Sequence, residues 1–158
     1  MVQPNTDPYG EQYSLPYEVI LDRNMELAEQ KININTDFVV FPESTLQEDI
    51  WEEHLKLSVS LRKIQNTLSK FPNTAVVIGA TTYRNVGKNE KPTNAARNFR
   101  KRDGQYYAYN TAILIEANND FQIHHKSKLT PGVEIVPSWW ILKPIERLAI
   151  DLGGTTGT

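Results

Sequence analysis

Ile50, His54, Leu57, Leu61, Ile64, Leu68 and Phe71 recur four and three positions apart, the strongest periodicity in this chain. Such spacing lays one apolar stripe along a helix, and the stripe has to be buried against another layer. The flanking sequence supplies that layer. Phe38-Val39-Val40-Phe41 and Ala75-Val76-Val77-Ile78-Gly79-Ala80 are short, continuously apolar runs, as strands buried on both faces read. Ser44 with Gln47, or Thr45 with Glu48, has the spacing of a capping box, and Pro72-Asn73 closes the segment. The expectation is a single long helix from that start to Phe71, with His54 on its apolar face as a packed core residue.

The remaining elements follow the same logic. Val2 to Asn5 reads as a short strand. Leu21, Met25, Ala28 and Ile32 share one face of a helix that begins near Tyr17. Thr111–Glu116 and Phe121–His125 read as a hairpin around Asn118-Asn119-Asp120. Strand, helix, strand, helix, strand and hairpin together predict an α/β domain with helices against a mixed sheet. At 158 residues the chain is about the size of one domain. It ends on Gly153-Gly154-Thr155-Thr156-Gly157-Thr158, a loop on which domains rarely finish, so the fold is expected to continue beyond it. No apolar run approaches the roughly 20 residues of a membrane helix, and no export leader is visible.

Charge is blocked along the chain. Residues 1–53 carry a net −10 and residues 54–103 a net +9, although the whole sums to −2. Two oppositely charged surfaces of one domain explain this better than an anionic partner. The basic stretch 84–104 sits on no recognised nucleic-acid module, so nucleic acid is not an expected partner.

The chain has no cysteine, which excludes disulfides, a thiolate metal site and a cysteine nucleophile within these residues. Two other groups stand at strand ends, where α/β sheets collect ligand and catalytic groups. Glu43 follows the Phe38–Phe41 run at once, and partial desolvation there would make it a better proton acceptor. On its own it is more simply an acid at a helix start. Lys126 closes the Phe121–His125 strand, where an ammonium can stabilise a developing oxyanion, or simply be solvated.

Taken together, Phe41-Pro42-Glu43-Ser44, then His125-Lys126-Ser127-Lys128-Leu129-Thr130-Pro131 and Glu134, resemble the nitrilase superfamily of carbon–nitrogen hydrolases. Val2-Gln3-Pro4-Asn5 resembles its first strand, and Val77–Ala80 and Tyr109–Ala112 resemble its recurrent strand motifs. Within the superfamily, the spacing of Lys126, Leu129, Pro131, Glu134 and Val136-Pro137 is similar to that of the apolipoprotein N-acyltransferase family. Gly132-Val133 depart from that family's more usual aromatic residue and glycine. The resemblance implies that residues 1–158 are the N-terminal portion of a single nitrilase-like domain, part of an α-β-β-α sandwich. It implies a Glu–Lys–Cys triad with Glu43 as general base, Lys126 as the cation for the oxyanion and Glu134 as a supporting carboxylate. Tyr13 would stand near the first strand, and no cofactor is implied.

By the same resemblance the nucleophilic cysteine lies on a later strand, and flanking membrane helices are absent here. The implied reaction moves a fatty acyl chain from a phospholipid donor to the N-terminal amine of a diacylglyceryl-cysteine lipoprotein acceptor. The implied location is the bacterial inner membrane with this domain facing the periplasm. This piece is expected to be inactive and to self-associate through unfinished edges. Trp139-Trp140, after Pro137, suit a membrane–water interface or a core. A soluble amidase or nitrilase fragment, and a non-catalytic nitrilase-like binding module, are the alternatives. Adjacent strand residues point to opposite faces, so His124 and His125 cannot share one metal ion.

Overall fold

Strand β3 (Ala75–Asn85) carries the rest of the sheet on its two edges in a computed structural model that describes residues 1–7, 10, 11, 14–118 and 120–128. On one side β5 (Gln105–Ile115) runs antiparallel to it, in register from Val76 opposite Ile115 to Asn85 opposite Tyr106. Beyond β5, its first residues pair with the short β4 (Arg97–Asn98) and its last with β6 (Phe121–His125), both antiparallel. The other edge of β3 is shared by two parallel strands laid end to end. β1 (Phe38–Val40) takes Ala75–Val77, and β2 (Leu46–Trp51) takes Ala80–Tyr83. The α/β class and the mixed sheet of six strands are therefore present.

Helix α1 (Tyr17–Glu29) buries Leu21, Met25 and Ala28, the face its spacing predicts. Helix α2 (Val59–Leu68) buries Leu61, Ile64 and Leu68 almost completely. Both helices join one core with Val39, Leu46, Ile50, Val76, Ile78, Ile113 and Ile115, the alternate residues of the strands. Burying each such aliphatic side chain is worth about 1.5–3 kcal/mol. Asp22 of α1 and Lys63 of α2 form an ion pair across the helices, joining the acidic and basic halves of the sequence.

Several expectations are corrected here. The long helix is not continuous: Leu46–Trp51 is strand β2, Glu52–Leu57 is a 3₁₀ segment broken at His54, and α2 begins only at Val59. A spacing of four satisfies both the helical period and the strand period of two, so Leu46 and Ile50 face the core from a strand. His54 is exposed rather than packed, and Leu57 is 69% exposed. The capping box is not formed. Ser58 is the N-cap of α2, its hydroxyl accepting from Leu61 N–H at 3.1 Å. Glu48 reaches from β2 to the same helix end, accepting from the Ser58 hydroxyl at 2.7 Å and from Val59 and Ser60 N–H at 3.0 and 2.9 Å.

Strand β1 is not buried on both faces either: Val39 is buried, whereas Phe38 is 61% exposed. Residues 2–5 form no strand, although Val2 N–H donates to the Val40 carbonyl at 2.8 Å and Val2 is buried. No helix among the described residues is long and apolar enough to cross a membrane.

Candidate functional site

The chain leaves β1 at Val40 and rejoins the same edge of β3 at Leu46, so residues 41–45 turn over the middle of that strand. Three hydrogen bonds fix the turn. Phe41 N–H donates to the Val77 carbonyl at 2.8 Å and Gly79 N–H to the Pro42 carbonyl at 3.2 Å, while the Thr45 hydroxyl donates to the same Pro42 oxygen at 2.8 Å. Gly79 is required by this approach: a Cβ built there would overlap the backbone carbonyl of Glu43. Glycine thus lets the turn lie against β3 and sets Glu43 on the sheet face that α1 and α2 leave uncovered.

Lys126 follows β6, its N–H donating to the Asn110 carbonyl at 2.8 Å. Its Nζ stands 3.0 Å from Glu43 Oε1, and Asn110 Nδ2 donates to the same oxygen at 2.5 Å. The two groups singled out in the sequence therefore meet. Motif spacing does not reveal Asn110 as a partner, though the strand pattern holds the signal. With Thr111, Ile113 and Ile115 facing the helices, alternation turns Asn110 to the other face.

The expected desolvation of Glu43 is not what the described residues show, since its side chain is 59% exposed. Charge pairing and a hydrogen-bond donor, not burial, define its surroundings. Around the pair lies a cavity of about 430 Å³ with an apolar floor of Phe41, Val77 and Ala112, and with His124 and Lys128 on its wall. Its volume is in the range of small-molecule sites. In chemical terms, a carboxylate that can accept a proton stands beside an ammonium that can stabilise negative charge.

His124 and His125 do diverge. His124 lines the cavity, whereas His125 stacks on Tyr109 with centroids 3.8 Å apart and its Nε2 lies 2.7 Å from Glu52 Oε1. No group of three or more potential metal ligands occurs among the described residues. The basic stretch is partly satisfied internally. Arg84 makes two 2.8 Å contacts to Glu90 and holds that carboxyl down at about 2. Trp51 packs with Tyr83, Phe99 and Tyr106, and Arg102 lies over the Phe99 ring at 3.8 Å. Glu134, Tyr13, Trp139 and Trp140 lie outside the described residues. No family model and no curated protein matches the chain.

Proposed function

We propose that these residues form the carboxylate-and-cation half of a nitrilase-type acyl-transfer site, of the apolipoprotein N-acyltransferase kind. The observation that carries this reading is the meeting of Glu43, Lys126 and Asn110 on one carboxylate oxygen beside an apolar-floored cavity. In the proposed cycle Glu43 takes the proton of a thiol, and the thiolate attacks the ester carbonyl of a phospholipid. The tetrahedral oxyanion is stabilised by the Lys126 ammonium. Its collapse leaves a thioester and a lysophospholipid alcohol, which receives the proton back from Glu43. The α-amine of a diacylglyceryl-cysteine lipoprotein then attacks the thioester and gives a proton to Glu43, and a second oxyanion forms at the same place. Its collapse breaks the C–S bond, the departing thiolate taking that proton back to restore the thiol.

With no cysteine among the 158 residues, the thiol must be supplied from outside them. In this reading Glu134 supports Glu43 and Lys126, Trp139 and Trp140 meet the membrane surface, and the site works at the periplasmic face of a bacterial inner membrane. The nitrilase-type sandwich belongs to the same proposal. It is supported by the sheet face that α1 and α2 leave uncovered among the described residues, on which Phe38 and Val40 are exposed.

The test is made on the cellular protein that contains these residues, given phospholipid and a diacylglyceryl lipopeptide, with product read by mass spectrometry. N-acylated lipopeptide that disappears in E43Q and K126M is the expected result. Hydrolysis of small amides without acyl transfer would replace this reading with a soluble carbon–nitrogen hydrolase. Neither activity would leave a binding module.

A further inference from the structure

Behind the Glu43 site, on the face toward the helices, four segments meet in one polar network. Glu52, whose side chain is only 9% exposed, accepts at Oε1 from the Thr82 hydroxyl at 2.7 Å, and His125 Nε2 stands 2.7 Å from the same oxygen. The Thr82 and Thr111 hydroxyls are 2.7 Å apart. Thr82 has one hydroxyl proton and gives it to Glu52, so Thr111 donates to Thr82. A carboxylate only accepts, which places a proton on His125 Nε2. Tyr109 closes the group, its ring stacked on the imidazole within 5° of parallel.

Strand alternation couples this network to the site. Tyr109 and Thr111 flank Asn110 on β5, and His125 immediately precedes Lys126 at the end of β6. Lys126 and Asn110, which donate to Glu43 among the described residues, are therefore borne on backbone whose neighbours are held from the opposite face. Thr111 is also directly opposite His125 in the β5–β6 register. A lysine ammonium on its four-carbon stem loses its aim easily, so its backbone has to be fixed for the charge to stay on one oxygen. A buried carboxylate is costly to keep unless its hydrogen bonds are made, and here they are made to the strands that carry the site.

We propose that Glu52 and His125 are positioning residues, whose part-buried hydrogen bond fixes the end of β6 against β5 and so holds Lys126 Nζ and Asn110 Nδ2 on Glu43. This holds whichever reaction the site performs, so it stands or falls separately from the acyl-transfer reading.

Two substitutions at His125 separate the hydrogen bond from mere packing. H125Q keeps an N–H donor for Glu52 and loses the ring, whereas H125F keeps the stacked ring and loses the donor. The Asn110 side-chain amide and Lys126 side-chain resonances are followed by NMR in the intact chain, with E43Q as the reference for a broken site. In H125F both sets should move at least halfway to their E43Q positions, while H125Q leaves them near wild type. The reverse order, or wild-type positions in both variants, would overturn the proposal. Should H125F fail to fold, T82V removes the second donor to Glu52 at nearly constant volume. A shift toward E43Q then supports the proposal, and unmoved resonances refute it.

Discussion

Lys126 Nζ stands 3.0 Å from Glu43 Oε1 across 83 positions of sequence, and Asn110 joins them on the same oxygen. The carboxylate is 59% exposed, and exposed ion pairs contribute about 0–1 kcal/mol. E43Q and K126M should therefore lower folding stability by less than about 1 kcal/mol in urea titrations. Losing one oxyanion-stabilising donor typically costs about 10²–10³ in turnover, so if Lys126 has the role proposed for it, K126M should lose at least that much of the proposed acyl transfer. A stability loss above about 2 kcal/mol would make the pair a structural tie instead.

The 158-residue polypeptide alone should transfer no acyl group, because no thiol is present to form the thioester. Incubation with phospholipid and acceptor lipopeptide should give product no higher than a heat-killed control. Turnover above that control would refute a thiol mechanism.

Gly79→Ala should be one of the most damaging small substitutions in the sheet. Its added methyl meets the Glu43 carbonyl, and backbone cannot rotate aside as a side chain can. Overpacking of this kind costs about 1–3 kcal/mol, occasionally more. The expected result is a lower urea midpoint together with displaced Asn110 side-chain resonances, since the Glu43 turn must lift off β3. An unchanged midpoint and unchanged resonances would show that the turn is not seated by Gly79.

What could be read from the sequence, and what could not, divides along physical lines. Glu43 and Lys126 were legible because each closely follows a strand, although they meet on the sheet face over the middle of β3 and not at its carboxyl edge. Asn110 was hidden because a polar residue inside a strand pattern looks merely solvated. Glu48 carried a helix-start signal, but for the wrong helix: it caps α2 from a neighbouring strand, a tertiary contact that local spacing cannot contain. Leu46-Gln47-Glu48-Asp49 has no strong strand preference, and pairing with β3 decided its conformation.

The Glu48 cap should be visible in acid. Burial pushes its carboxyl up, but the hydrogen bonds from the Ser60 and Val59 N–H groups and the Ser58 hydroxyl outweigh this and leave it below the ordinary value of 4.5. A carboxyl depressed in the folded state adds stability above its unfolded value, and that stability is lost as pH falls through the folded one. Stability should thus decline on acidification below about pH 4.5 more steeply in wild type than in E48Q. Near pH 7, E48Q should cost about 1 kcal/mol, the usual worth of a helix cap. Parallel acid limbs in urea titrations from pH 3 to 7 would show that Glu48 contributes no such linkage.

The helix boundary itself can be tested with two leucines that share one apolar periodicity. Leu57 and Leu61 are four apart and would lie on the same buried stripe if one helix ran through both. In the structure Leu57 ends the 3₁₀ segment with 69% exposure, whereas Leu61 is fully buried after the Ser58 cap. L61A should then cost about 2–5 kcal/mol through lost burial and the cavity left behind. L57A should stay within about 0.5 kcal/mol, as surface substitutions usually do. Urea midpoints for the two variants decide the matter, provided the denaturant slopes agree with wild type. Equal losses would mean that Leu57 belongs to the core and that the helix continues toward its N-terminus past Ser58. A large loss at Leu61 alone places the break at Ser58, where Glu48 and the Ser58 hydroxyl together satisfy the first N–H groups of α2.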